Sequence, residues 1–390
     1  MFDQVEEAIA DLKLGKPIIV VDDEDRENEG DLIAVSEYLT ADTINFMATY
    51  ARGLICAPVS NEIAEQLNLN LMSQTNDKFK TAFTVSVDHI SSTTGISAFE
   101  RTDTIKGLVN ETSPDAFVRP GHIFPLIAKD NGVLERVGHT EACVDLARLS
   151  GAKPAGAICE IMNDDGTMAH REDLYEFKLK HQLKMITIDD LVRYRKIHDQ
   201  IIHFESKIEL PTAFGTFDMY GFTSERDDKE YLAIVSGEIH DGMNVRIHSE
   251  CLTGDIFHSA RCDCGEQLEY AMKYIQEHGG MILYLPQEGR GIGLINKLKA
   301  YELIEQGYDT VTANEALGFE ADLRDYTEAS QILKYFNIEE IRLISNNPDK
   351  FQQIQDLGIR ITDRIPVVIP ANKTNQSYLN TKKDQMGHLL

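Results

Sequence analysis

Three cysteines, Cys251, Cys262 and Cys264, follow the spacing Cys-x10-Cys-x-Cys among polar neighbours that include His248, Ser249, Glu250, Arg261 and Asp263. Thiols in such company are poor core residues, and as thiolates they favour zinc. Three protein ligands leave a fourth position for water, as in catalytic sites, unless His248 or His258 closes the set into a structural one. Zinc-bound water ionises near neutrality and attacks as hydroxide. A deaminase-type site needs a Pro-Cys-x-x-Cys element, which the chain lacks. A second reactive cluster lies near the start. Asp22 to Asp31 hold seven carboxylates, interrupted by Arg26 and Asn28, directly after the apolar run Ile18-Ile19-Val20-Val21. A charge run is ordinarily a solvated face. Emerging from a buried strand, these carboxylates repel one another unless a hard cation such as Mg²⁺ or a basic group relieves them.

Basic residues, glycines and histidines recur together in Arg119-Pro120-Gly121-His122 and Arg136-Val137-Gly138-His139-Thr140-Glu141. Such turns suit phosphate or metal, although lone histidines are more often structural. Gln287-Glu288-Gly289-Arg290-Gly291-Ile292-Gly293 follows an apolar stretch and matches neither the Walker nor the dinucleotide pattern. Beside thiolates and arginines it still offers backbone N–H groups to a phosphate.

The elements that must carry these residues alternate between helix-like and strand-like, which predicts an α/β (α+β) class. At 390 residues two domains are expected, each a mixed sheet with flanking helices. Phe2, Val5, Ile9 and Leu12 predict an opening amphipathic helix. Leu268, Met272 and Ile275 predict another helix, Met281 to Leu285 and Ile341 to Ser345 predict strands, and Asn347-Pro348 predicts a helix start. A charged helix around residues 188–195 gives way to an extended stretch, which puts the boundary near 200–206, with domains 1–203 and 204–390. A net charge of −26 excludes general nucleic-acid binding but not a local cationic site for a phosphorylated small molecule. The chain has no apolar run long enough for a membrane helix, and its acidic N-terminus is unlike a signal peptide, so a cytoplasmic protein is expected. Cys56, Cys143 and Cys159 stand singly among apolar residues and are expected to be packing residues, not disulfides.

Asp22 to Asp31, Thr93-Thr94-Gly95-Ile96-Ser97, Arg119 to His122 and Gly138-His139-Thr140-Glu141-Ala142, in that order, resemble the 3,4-dihydroxy-2-butanone 4-phosphate synthase family over residues 1–200. The resemblance implies conversion of ribulose 5-phosphate to that four-carbon phosphate and formate, with Mg²⁺ or Mn²⁺. It implies Glu27 and His139 as metal ligands. Arg26, Glu27, Asp31, Arg136, Val137, Gly138, His139, Thr140 and Glu160 would meet substrate, with His122 and Glu160 essential for turnover. One position departs: Lys80 stands in Lys78-Phe79-Lys80-Thr81 where the family commonly has glycine. A positive φ there would strain a lysine.

Arg246 to Asp255, Arg261 to Gly265, Gln287 to Gly293 and Gly318-x3-Asp322-x-Arg324 resemble GTP cyclohydrolase II over about residues 205–390, to the terminal Met386-Gly387-His388-Leu389-Leu390. The resemblance implies Cys251, Cys262 and Cys264 as zinc ligands. It implies GTP contacts at Arg246, Ile247, His248, Ser249, Glu250, Gln267, Glu288, Gly289, Arg290, Thr310, Ser345 and Lys350. Asp322 would be the general base and Arg324 the nucleophile at the α-phosphorus, a role that stabilisation of phosphate charge by arginine fits equally well. The guanine imidazole ring would open at C8, with loss of formate and pyrophosphate and a further Mg²⁺ on the triphosphate. Both halves would feed riboflavin biosynthesis, and a homodimer is implied. The rival expectation, hinted by Lys80, is a first half that only scaffolds the second.

Overall fold

The computed structural model describes residues 2–73, 79–372, 374–376 and 387. Lys78, the side chain of Thr310 and, Gly387 apart, the closing segment 386–390 lie outside the described residues. The chain divides into two units, Met1–Arg195 and Lys196–Leu390. The division falls inside the charged helix Ile188–His198.

The first unit is built on seven strands: β1 (Ile18–Val21), β2 (Gly30–Val35), β3 (Cys56–Val59), β4 (Val87–His89), β5 (Phe117–Ile127), β6 (Gly156–Glu160) and β7 (Met185–Thr187). They form one mixed sheet in the order β4-β5-β3-β6-β2-β1-β7. The period-2 geometry of a strand sends Ile19 and Val21 into one core and Ile18 and Val20 into the other. Both faces are covered, which is why β1 is apolar throughout. The opening helix Val5–Lys13 buries Val5, Ala8, Ile9 and Leu12, as its spacing predicts. Cys56, Cys143 and Cys159 are free and buried, and burial pushes their thiols up, so they serve as packing groups.

The second unit also has seven strands: β8 (Ile202–Thr212), β9 (Gly215–Ser224), β10 (Asp227–Ser236), β11 (Asn244–Ser249), β12 (Gly280–Leu285), β13 (Glu340–Ile344) and β14 (Arg360–Ile365). Their order is β14-β13-β11-β12-β10-β9-β8. β11 pairs in parallel with both β12 and β13, while β8, β9, β10 and β12 form an antiparallel wing. The chain leaves β11 to reach β12 on one side and returns to β13 on the other. That switch point opens a crevice at the carboxyl ends of the strands. Asn347 caps the helix Pro348–Asp356 by accepting from the Asp349 N–H at 3.1 Å. No helix of the described residues is long and apolar enough to cross a membrane.

Candidate active sites

In the first unit, β1 delivers the chain into the acidic loop at Asp22, a buried carboxylate that organises the loop around itself. Its Oδ2 accepts from Arg26 Nη1 at 2.8 Å and from the Glu27 N–H at 3.1 Å, and its Oδ1 accepts from the Glu29 N–H at 2.9 Å. Arg26 also pairs with Glu27 and lies over the Phe79 ring, 5.1 Å from its centroid. His139 opens the helix His139–Leu149, and its Nε2 donates to the Val20 carbonyl at 3.1 Å. Nδ1 is left with its lone pair toward Glu27 (3.9 Å) and Asp31 (3.8 Å). Burial lowers the pKa of His139 and keeps it the neutral imidazole a metal needs. Asp22, Glu27 and His139 each bring one ligand atom within 4.8 Å of the others.

Asp31 on β2 stands directly opposite Glu160 on β6. Like charges in that register destabilise a sheet. Asp31 Oδ1 is buried without a hydrogen-bond partner, and burial, followed by Glu160, Glu27 and Glu29, raises its pKa well above the usual carboxylate range. A site of oxygen and imidazole donors with an orphaned carboxylate oxygen fits a hard divalent cation. Glu160 Oε2 accepts from the Leu54 N–H at 2.8 Å. A Cβ on Gly53 would lie 2.5 Å from that oxygen, so only glycine lets the loop approach. Arg136 donates to Glu141 (2.5 Å), the Phe79 carbonyl (3.0 Å) and Thr81 Oγ1 (2.9 Å). With Gly138 as N-cap and Thr140 in the first turn, this helix start and its arginine have the chemistry to hold an anion. Val137 is exposed beside it.

Lys80, between the two residues that hold Arg136, has φ 56°, the left-handed conformation that glycine adopts freely. Replacing Lys80 with glycine is expected to raise stability by roughly 0.5 to 1 kcal/mol without changing sugar-phosphate turnover. Chemical denaturation beside a formate assay checks both.

His122 lies on β5, three strand positions from β2, in a cluster of its own. Asp88 accepts from its N–H at 2.9 Å and bonds its Nδ1 at 2.7 Å. Gly95 packs so closely that a Cβ there would overlap Asp88 Oδ2. Glu100 holds that loop by accepting from Thr93, Thr94, Gly95 and Ser97. Neither acid was expected from the sequence, although Ser97-x-x-Glu100 is a readable capping signature. Asp88→Ala is expected to lower sugar-phosphate turnover roughly 100-fold by freeing the imidazole, with the fold unchanged by circular dichroism.

In the second unit, Cys251 follows β11 and Cys264 opens the helix Cys264–His278. The three sulfurs lie within 4.8 Å of one another, and Cys251 and Cys262 are 3.7 Å apart. Two thiolates on one tetrahedral zinc are about 3.8 Å apart, given Zn–S bonds of about 2.3 Å, so the spacing fits that ion. A Cβ on Gly254 would lie 3.0 to 3.1 Å from Cys262 Sγ, Cys251 Sγ and Cys264 Cβ. Hydrogen bonds from the other two thiols hold the Cys251 thiol below its ordinary range. Lys297 adds to this by donating to Cys251 Sγ at 3.1 Å and to Glu288 Oε1 at 2.7 Å. Glu288 in turn accepts from the N–H groups of Leu252 and Gly289 at 2.6 and 2.8 Å. Lys297 was not foreseen, since it lies in the first turn of the helix Leu294–Glu305, outside every motif read from the sequence.

Arg246, His248, Ser249, Glu250, Gln267, Glu288, Gly289, Arg290, Ser345 and Lys350 line one cleft together with the three cysteines and Arg324. Arg246 is fixed by the Ile344 carbonyl (3.0 Å) and Gln267 (2.6 Å), and Lys350 by the Ile247 carbonyl (2.7 Å). Gly289 and Arg290 both have φ 62°, which curls the loop after β12 around the cleft. The cleft therefore gathers Arg246, Arg290, Lys297, Arg324 and Lys350 in a chain of net charge −26. Ile247 is a correction: its side chain is fully buried in the core, because it alternates with Arg246 and His248 along β11. Only its main chain could reach a ligand, and its carbonyl is already engaged by Lys350. Asp322 clamps Arg324, with Arg324 Nε at 2.8 and 3.1 Å from its oxygens. Burial works to raise the pKa of Asp322, but the hydrogen bonds and charge of Arg324 outweigh it and lower the pKa.

Comparison with known proteins places these sites in context. Residues 6–194 match the family 3,4-dihydroxy-2-butanone 4-phosphate synthase, and residues 203–366 match GTP cyclohydrolase II. The chain is 64% identical to proteins named riboflavin biosynthesis protein RibBA from Staphylococcus epidermidis and Staphylococcus aureus, with 100% of each chain covered. Among solved structures it is similar to RibBX, a two-domain 3,4-dihydroxy-2-butanone 4-phosphate synthase from A. baumannii. That likeness has 35% identity and a TM-score of 0.67, and covers 93% of this chain and 99% of that one.

Proposed function

The chain belongs to the bifunctional riboflavin biosynthesis family that joins 3,4-dihydroxy-2-butanone 4-phosphate synthase to GTP cyclohydrolase II, and on that premise we propose which residues perform each reaction. It is a lyase on ribulose 5-phosphate and a hydrolase on GTP, and each reaction releases formate. We assign the first to residues 1–203 and the second to 204–390.

In the first half, Glu27 and His139 hold Mg²⁺ or Mn²⁺, and Asp22 stands close enough to join them. When bound, that cation supplies positive charge for the enediolate oxygens. Arg26, Arg136 and the helix start from Gly138 to Thr140 take the phosphate, with Val137 exposed at the rim. Asp31 orients the sugar hydroxyls. Glu160 and His122 move protons on the carbon chain, with His122 aimed by Asp88.

In the second half, Cys251, Cys262 and Cys264 hold zinc, which when bound supplies the water activated for attack at C8. Arg246, Arg290, Lys350 and Arg324 face the triphosphate, and a Mg²⁺ accompanies it. His248, Ser249, Glu250, Gln267, Glu288, Gly289, Thr310 and Ser345 complete the nucleotide site. Asp322 is the general base. Arg324 acts as a cation, because a guanidinium stays protonated in proteins and Asp322, whose pKa the hydrogen bonds and charge of Arg324 lower against the effect of burial, is too weak a base to take its proton. The observation that carries this half is the set of three cysteine sulfurs at zinc spacing on the wall of a cationic cleft.

The cysteines are needed as thiolates and as free packing groups, which supports a reducing, cytoplasmic location. Ile90, Ile96, Phe99 and Val118 are exposed large apolar residues in the first unit and support a homodimer. Formate release with each substrate in a separate Mg²⁺-containing tube tests the whole reading. Both tubes should yield formate, and formate from GTP alone would return the first half to a scaffold.

A further inference from the structure

The alternation that buries Ile247 turns His248 toward the cleft, although only 2% of the residue is exposed. Both oxygens of Asp255 face its Nε2, at 3.2 and 3.1 Å. The same carboxylate accepts from the Tyr284 hydroxyl at 3.0 Å and from the Cys251 N–H at 3.0 Å. Tyr284 also stacks on the imidazole, with ring centroids 5.5 Å apart and planes 20° apart. An ionised carboxylate only accepts, so the ring proton facing it belongs to Nε2. His248 Nδ1 is then a lone-pair acceptor, buried and without a partner among the described residues.

We infer that Asp255 is a positioning residue that locks His248 with its proton on Nε2, so that Nδ1 accepts a hydrogen bond from the N–H edge of the guanine base. The inference rests on the proposed GTP reading and deepens it. A phosphate offers only acceptors and cannot satisfy Nδ1; the arginines and Lys350 serve that part of the ligand. Guanine offers donors at N1 and at its 2-amino group, and a buried acceptor left unmet favours a ligand that carries them. Because Asp255 also grips the Cys251 N–H, one carboxylate sets the register between the base-binding wall and the thiolate turn. Burial lowers the pKa of His248, in keeping with a neutral ring.

The test uses the full-length, zinc-loaded chain labelled with ¹⁵N-histidine. Long-range ¹H–¹⁵N spectra should show His248, identified by its loss in His248→Leu, with a bare Nδ1 and a protonated Nε2. Asp255→Asn should blur that signature and, like His248→Leu, raise KM for GTP roughly 10- to 100-fold at full zinc content, with a smaller change in kcat. His248→Asn, which returns an acceptor near the place of Nδ1, should recover most of the loss and guards against a leucine variant that fails to fold. The leucine penalty should vanish with ITP or with 1-methyl-GTP. A protonated Nδ1 in the free enzyme, a penalty that survives both analogues, or one erased only by 2′-deoxy-GTP would overturn the inference. Failure of the unaltered chain to open GTP would instead overturn the GTP reading, and the tautomer would still be read from the spectrum.

Discussion

Cys251→Ser is expected to abolish formate release from GTP while leaving formate release from ribulose 5-phosphate intact. The loss should be roughly 1,000-fold or more, because a hydroxyl is a far weaker zinc donor than a thiolate and the activated water goes with the metal. The geometry explains why one sulfur matters so much. Cys251 is 3.7 Å from Cys262, accepts from Lys297, and begins the turn whose N–H groups are gripped by Asp255 and Glu288. Cys262→Ser should behave alike, whereas Cys143→Ser, a buried packing position in the first unit, should leave GTP opening unaltered. Metal analysis of the purified variants gives a second readout: zinc should fall from about one ion per chain toward none. Full zinc with dead chemistry would mean that Cys251 serves the nucleotide and not the metal. Loss of both activities would mean that the substitution unfolds the chain.

The thiol triplet and the acidic loop could be singled out in the sequence because their residue types are unusual and the spacing within each is short. Cys262-x-Cys264 and the acidic loop both lie within one or two turns of chain, so no tertiary knowledge is needed to bring them together. The strands behind them were equally visible, since a strand buried on both faces, such as β1, must be apolar at every position. Lys80 is a finer case. A missing glycine pointed to a positive φ, and the structure has φ 56° there.

What escaped was the outer layer of partners. Asp88 reaches His122 across 34 residues, and Lys297 reaches Cys251 across 46. Packing makes those meetings, and no local pattern announces them. Asp255 closes the Arg246 to Asp255 motif yet received no role, because a carboxylate seven residues after a histidine has no fixed relation to it until the turn closes. Ile247 failed in the other direction. It sat within a contiguous motif, and the two-residue period of the strand that carries it sends its side chain to the core.

Asp31→Asn is expected to give a chain whose first unit is more stable in EDTA and inactive on ribulose 5-phosphate. Asp31 is 3% exposed, faces Glu160 across the β2–β6 ladder, and has an oxygen with no hydrogen-bond partner. Burial, then Glu160, Glu27 and Glu29, holds its pKa well above that of an aspartate in water. The sign comes from proton counting. Between the unfolded pKa and the raised folded one, the folded chain keeps a proton that the unfolded chain has released. Stability from this group therefore falls as pH rises through that window, and above it the whole penalty is present. Asparagine carries no such proton and no charge against Glu160, so the variant should gain about 1 to 3 kcal/mol at neutral pH without metal. It should lose that advantage as pH drops toward the unfolded value. Mg²⁺ should narrow the gap from the other side, because a cation held by Glu27 and His139 offsets the charge that makes Asp31 costly. Turnover of the sugar phosphate should fall roughly 100- to 1,000-fold, the cost of removing a buried charged group from the substrate site. GTP opening by the same preparation shows that the chain is folded. Calorimetry in EDTA and in Mg²⁺, at neutral and acid pH, decides the matter. An asparagine variant less stable than the parent in EDTA at neutral pH would mean that the carboxylate is a structural anchor, and the cation reading of the acidic loop would have to be given up.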